Sequence, residues 1–297
     1  MRTYLDCYPC FMRQALDAGR MAGASDDMQH HLLLRTMEHL ASLEGTETPP
    51  EIGHVIHRMV RRLTGVDDPF REVKAVSTCQ ALALYPWIKD LVAEAKDSLA
   101  CAVHLAIAGN IIDFAQTTAP RDQAALRDSV REALASPLTI DDLGILRAAL
   151  TTTREVLVLA DNAGETVFDR VLIEALHDDT TQPLTVRYAV KGAPVLNDAT
   201  WDDALAAGID AVAEIVTNGS DAAGTILEDC TAEFREIFER APLVIAKGQA
   251  NYETLSEASA PLVFLLRAKC PVIARDVGAP VGSLICEARR IFMGAGG

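Results

Sequence analysis

Val156-Leu157-Val158-Leu159-Ala160-Asp161-Asn162-Ala163-Gly164-Glu165-Thr166, set between Arg154 and His177, decides the fold. The first five residues are an apolar, β-branched run, as expected of a parallel strand buried on both faces. Asp161 stops it, and Asn162, Ala163 and Gly164 suit a sharp turn. Phe168, Val171, Leu172, Ala175 and Leu176 then fall at helical spacing. Two oxygen-bearing side chains, Asp161 and Asn162, thus stand where a strand gives way to a helix. In open α/β sheets that edge binds ligands, and the helix start favours an anion.

The same texture continues outward from this unit. Leu184 to Val190, Ala211 to Val216, Pro242 to Ala246, Pro261 to Leu266 and Pro271 to Ala274 are the further strand candidates, alternating with amphipathic segments. This predicts a doubly wound α/β sheet, mostly parallel, over residues 151–297. Lys191 follows the second strand, Thr217 to Asp221 the third, Lys247 the fourth and Lys269 the fifth, so parallel strands would gather them at one edge. Thr200 with Asp203 resembles a capping box, and Gly208 a helix stop. Residues 1–150 read instead as helices, over Phe11 to Met21, His30 to Leu43, Glu51 to Leu63, Asp67 to Tyr85 and Tyr85 to Thr117.

At 297 residues and 49% apolar content the chain can build a sizeable core without staples. A formal charge of -15, from 42 acidic against 27 basic side chains, argues against nucleic acid and anionic membrane surfaces as partners. Met1 to Phe11 lacks an apolar leader segment, and the longest apolar patch, Leu99 to Ile112, is broken by His104 and Asn110. Seven scattered cysteines fit a reducing compartment. The expectation is a cytoplasmic protein; the oligomeric state is open.

Asp161-Asn162, with Asp198 after the next strand, is a plausible hard-cation site, because Mg²⁺ and Mn²⁺ prefer carboxylate and amide oxygens. Helix capping by both aspartates is the plain alternative. Lys191-Gly192 and Lys247-Gly248 each pair a point charge with a turn that lets backbone amides approach a phosphate. Cys7-Tyr8-Pro9-Cys10 is a lone Cys-x-x-Cys, open to a second metal, a redox pair or packing. His54 and His57 share a helix face with no third ligand in view, and read as surface residues. Neither a nucleophile elbow nor a dinucleotide fingerprint is present.

In order along the chain, Cys7-Tyr8-Pro9-Cys10, Gly109-Asn110-Ile111-Ile112-Asp113, Asp161-Asn162-Ala163-Gly164-Glu165, Asn197-Asp198-Ala199-Thr200, Lys247-Gly248-Gln249-Ala250-Asn251-Tyr252-Glu253 and Lys269-Cys270-Pro271-Val272 resemble the ARMT1-like damage-control phosphatase family, also called domain of unknown function 89. The likeness is to its prokaryotic branch with an N-terminal cysteine pair. It implies a helical N-terminal region packed on a three-layer α/β/α domain, and a phosphatase of small phosphorylated metabolites that needs a divalent metal ion such as Mn, Mg, Co or Ni. Carried over by motif, Asp161, Asn162 and Asp198 would hold the metal, and Asp161, Glu165 and Lys247 would serve catalysis. Asn110, Lys191, Gly248, Asn251 and Glu253 would line the substrate site. Hydrolysis of a phosphomonoester is the expected reaction, with Asp161 either a ligand or a nucleophile. A non-catalytic sensor of a phosphorylated metabolite, a carboxylate methyltransferase and an interaction scaffold are the rivals.

Overall fold

A seven-stranded sheet in the order β1-β7-β6-β5-β2-β3-β4 runs through the middle of the computed structural model, which describes residues 1–109 and 122–291. Its strands are β1 (Leu138–Asp141), β2 (Glu155–Leu159), β3 (Thr185–Val190), β4 (Glu214–Thr217), β5 (Val244–Lys247), β6 (Leu262–Arg267) and β7 (Leu284–Arg289). Strands β2 to β6 are mutually parallel, β7 is antiparallel to β6, and β1 runs parallel to β7. Alternation sets the layers. Val156 and Val158 enter one core with Val186, Tyr188, Ile245 and Val263, whereas Leu157 and Leu159 enter the other with Val244, Ala246, Leu262 and Phe264. A strand buried on both faces needs a helical layer on each, and the chain supplies both.

The first half of the chain divides between the two layers. α4 (Arg71–Glu94) and α5 (Ser98–Gly109) pack on α8 (Thr166–Asp179), the helix that follows β2. α1 (Cys7–Met21), α2 (Asp26–Ala41) and α3 (Pro49–Thr64) pack together on the opposite face, where α3 also meets α11 (Gly248–Leu255). α3 is well specified locally. Pro49 opens it, Thr48 and Glu51 form a reciprocal capping box, and Gly65 ends it at φ 70°. The remaining helices are α6 (Gln123–Ala135), α7 (Leu143–Thr152), α9 (Trp201–Ala207), α10 (Ala232–Arg240) and α12 (Pro271–Val277). The Thr200 capping box and the Gly208 stop bound α9 as expected.

Four expectations need correction. Pro271 to Ala274 is the first turn of α12, not a strand: Pro271 takes the first helical position, where a missing N–H costs nothing, and the Cys270 sulfur accepts from the Ile273 amide. The strand partner of β6 is β7, which the sequence reading passed over. β1 lies before residue 150 in a stretch read as helical, and at four half-exposed residues it is too short to show a strand pattern. Asp67 to Glu94 holds one helix that continues through Pro86, since α4 runs unbroken to Glu94. The far end of the predicted Tyr85 to Thr117 helix, with Asn110 and its motif, lies outside the described residues. No helix among those described is long and apolar enough to cross a membrane.

A candidate active site at the sheet edge

Strand β2 lies between β5 and β3, so the chain leaves it toward β3 on one side and meets β5 on the other. This is the point where a crevice opens beyond the carboxyl ends of the strands. Asp161 and Asn162 leave β2 there, and the 3-10 turn Ala163–Glu165 leads into α8. The loop after β3 is stitched alongside. Asn162 and Asp198 form an isolated antiparallel bridge, the Ala199 amide donates to the Asp161 carbonyl at 2.8 Å, and the Ala163 amide donates to the Asn197 carbonyl at 2.8 Å. Leu196 turns that loop at φ 46°, a left-handed conformation that costs a non-glycine residue about 1–2 kcal/mol.

Gly248 closes the arrangement from the β5 side. At φ 77°, its missing side chain leaves room for a carboxylate: a Cβ there would stand 1.9 Å from Asp161 Oδ2. The resulting cavity, of about 340 Å³, is lined at its sheet end by Asp161, Asn162, Asp198, Gln249, Glu253 and Lys269. α1 and α3 wall the other end with Cys7, Cys10, Phe11, Gln14, Pro50, Gly53 and His57.

Three residues read as contacting substrate instead lie behind this wall. Lys247 is fully buried, and its Nζ donates to Asp169 Oδ1 at 2.6 Å and to Glu165 Oε2 at 3.4 Å. Tyr188 Oη donates to the other Asp169 oxygen at 2.7 Å. Asn251 Nδ2 donates to the carbonyls of Ala160 at 3.0 Å and Lys247 at 2.8 Å, while Thr225 Oγ1 donates to Asn251 Oδ1 at 2.7 Å. That amide ties β2, α11 and the loop after β4 together. Lys191 Nζ donates to the Gly224 carbonyl and lies 3.5 Å from Asp198 Oδ2.

Burial dominates the electrostatics. It pushes the Asp161 carboxyl up to about 6, with Asp198 adding repulsion and Lys269, Lys247 and Lys191 opposing. Asp198 rises to about 6 for the same first reason, against the pull of Lys191. Glu165 rises to about 7 through burial and the Asp161 charge. Lys247 is lowered by burial, but Asp169 and Glu165 outweigh this and hold it above the usual lysine value. Asp198 Oδ2 is buried without a hydrogen-bond partner. Two crowded carboxylates and an amide, one carboxylate oxygen accepting no hydrogen bond and only the Lys191 ammonium 3.5 Å from it, are a donor set suited to a hard divalent cation.

Several lining residues went unassigned in the sequence. Lys269 follows β6 by the same strand-exit logic as Lys191, and is the lysine that lines the cavity; Gln249 adjoins the Lys-Gly turn. His54 and His57 are buried rather than on the surface. His57 lines the cavity, and burial together with Arg61 and His54 lowers it to about 4. His54, Asp221 and Asp229 bring three ligand atoms within 4.8 Å of one another. Two guanidiniums already occupy Asp221: Arg58 Nη2 donates to it at 2.6 Å, and Arg61 bonds its other oxygen. That cluster is an ionic clamp on α3 and a poor cation site. Cys7, Cys10 and Cys270 are free thiols along the cavity, and burial raises Cys7 and Cys10.

Comparison with known proteins agrees with this architecture. The model of the damage-control phosphatase ARMT1-like domain matches residues 3–285. A damage-control phosphatase of Pyrococcus horikoshii is 34% identical over 96% of this chain and 98% of its own length. One of Archaeoglobus fulgidus is 32% identical over 95% and 97%, and an uncharacterized protein of Methanocaldococcus jannaschii is 35% identical over 93% and 92%. The crystal structure of a domain of unknown function 89 protein from Pyrococcus horikoshii superposes with a TM-score of 0.89, at 33% identity, over 97% of this chain and 99% of that one. A single fold and a match along almost the whole length make this chain a member of the ARMT1-like damage-control phosphatase family.

Proposed function

We propose that this protein is a phosphatase that hydrolyses small phosphorylated metabolites with the help of a divalent metal ion. The observation that carries the reading is the meeting of Asp161, Asn162 and Asp198 with Lys269 in one cavity at the switch point of the sheet. The two relatives named damage-control phosphatases support it. Asp161, Asn162 and Asp198 would hold the ion, with Mg²⁺, Mn²⁺, Co²⁺ and Ni²⁺ as candidates. When bound, such an ion polarises a phosphoryl oxygen and offsets the charge that develops on it.

The chain's own groups supply the rest. Lys269 meets the phosphate oxygens as a point charge, and the amides of the first turn of α11 add the positive end of a helix dipole. Lys247 and Asp169 act from behind, fixing Glu165 beside Asn162, whose Nδ2 donates to Glu165 Oε1 at 2.6 Å and to Asp161 Oδ2 at 3.2 Å. α1 and α3 close the cavity against bulk water and give the leaving group its wall.

The test is release of inorganic phosphate from a panel of small phosphomonoesters, with each of the four metals added to metal-stripped protein. Turnover that needs metal and falls by about 100-fold or more in Asp161→Ala, with the fold retained, is the expected result. Metal-dependent turnover that persists in Asp161→Ala would sink the assignment. Tight binding of a phosphorylated ligand with no turnover under any metal would make the protein a sensor.

A further inference from the structure

Glu253 lies five residues beyond Gly248 on α11, about 7 Å further along the helix axis from the glycine that accommodates Asp161. Its side chain is buried and lines the cavity. Gln249, one turn earlier, donates from Nε2 to Glu253 Oε1 at 3.0 Å, and its own Oε1 accepts from the Lys269 amide at 3.4 Å. The carboxyl is therefore aimed by a residue that is itself anchored. Cys7 and Cys10 of α1 line the same cavity as Glu253. A phosphate seated against Asp161 and Asp198 leaves its ester group the rest of the cavity, whose lining includes Glu253 together with Phe11, Pro50 and Gly53.

We propose that Glu253 is the general acid that protonates the leaving-group oxygen, an inference that rests on the phosphatase function proposed above. As the bond from phosphorus to the ester oxygen breaks, its electron pair stays on that oxygen. The Glu253 proton moves to it, the alcohol departs neutral, and Glu253 is left as a carboxylate. The attacking water forms the new bond to phosphorus and gives up its proton to solvent, from which Glu253 is later reprotonated. The surroundings keep the acid loaded. Burial raises the Glu253 carboxyl to about 7 against the pull of Gln249 and the N-terminal amino group, and Asp161 and Asp276 raise it further. Cys7 and Cys10 of α1, Cys270 and Lys269 line the same cavity, and burial holds the Cys7 and Cys10 thiols above their ordinary value.

The experiment compares two esters on Glu253→Gln, a change that keeps an acceptor for Gln249. p-Nitrophenyl phosphate has a leaving group that departs without a proton, whereas ethyl phosphate needs one. The expected result is a fall in kcat/KM of about 100-fold on ethyl phosphate and of less than about 5-fold on p-nitrophenyl phosphate. Competitive inhibition by inorganic phosphate should shift by less than about twofold, since the phosphate end is untouched. Gln249→Ala, which removes only the aim, should show the same ester selectivity at about 10-fold, and guards against misfolding of the first variant. Equal losses on both esters, or none on ethyl phosphate, overturn the proposal. A parent protein that hydrolyses neither ester under any of the four metals overturns the phosphatase reading and this one with it.

Discussion

Gly248 concentrates the chemistry of the site in one hydrogen atom. Two constraints meet there: a backbone in the left-handed region and the Asp161 carboxylate packed where a side chain would begin. Gly65 is the natural control, because its φ of 70° is similar and open space surrounds it. Alanine at Gly65 should cost about 1 kcal/mol, the left-handed penalty alone. Alanine at Gly248 should cost at least about 2 kcal/mol more, since the Asp161 carboxylate or the start of α11 must move, and phosphatase activity should fall with it. Urea unfolding of both variants measures the difference. Equal stability losses with activity retained would show that Asp161 does not sit against this backbone.

Among the elements, α3 carries a role that its amphipathic pattern alone does not display. His54, Arg58 and Arg61 recur along one face, and all three converge on Asp221 in the loop after β4; His54 Nε2 is 2.7 Å from Asp221 Oδ1. Arg61 also donates to the Pro194 carbonyl at 2.8 Å in the loop after β3. The neighbouring face presents Gly53 and His57 to the cavity. Asp221→Ala leaves three basic groups facing one another and should loosen α3 at a cost of about 2 kcal/mol, discounted because Arg58 is half exposed. KM should rise several-fold while kcat moves little, because Asp161 and Asp198 are held by other elements. A loss confined to kcat would contradict a clamp. This part of the fold was hidden in the sequence for a physical reason: Asp221 is 160 residues from Arg61, and no local spacing announces such a partnership. The strand exits were legible because a buried parallel strand followed by a polar turn is a local pattern, as at Asp161, Lys191, Lys247 and Lys269. Which lysine faces the ligand was not legible, because that depends on the packing behind β5, where Asp169 takes the Lys247 ammonium. Short strands failed for a related reason. β7 runs antiparallel to β6, and Pro271 to Ala274 has strand-like composition but a proline suited to opening a helix.

Across the whole molecule, the buried acids make stability depend on pH in a direction opposite to that of an ordinary salt-bridged protein. Asp161 and Asp198 rise to about 6, and Glu165 and Glu253 to about 7, from unfolded values of 3.8 and 4.5. Between about pH 4 and pH 7 the folded chain binds more protons than the unfolded chain, so these four groups lower stability as pH rises through that window. His57 works the other way: held down at about 4 against 6.5, it favours the folded state at higher pH, but as one group against four. Asp221 is pushed up by burial, yet Arg58, His54 and Arg61 hold it well below the carboxylate range, so its contribution is lost only in stronger acid. The net charge of -15 adds self-repulsion with the same sign as the four carboxylates. Metal-free protein should therefore melt a few degrees higher at pH 5.5 than at pH 7.5. An Asp161→Asn, Asp198→Asn double variant separates the causes, because it removes the local crowding but only two of the excess charges; the slope should lessen without vanishing, since Glu165 and Glu253, raised first by burial, still titrate in this window. Mn²⁺ or Mg²⁺ at pH 7.5 should restore in the parent what the protons supply at pH 5.5, and do nothing for the double variant. A parent that melts higher at pH 7.5 than at pH 5.5 without metal would mean that Asp161 and Asp198 do not share one buried site, and the cation reading would fall with that result.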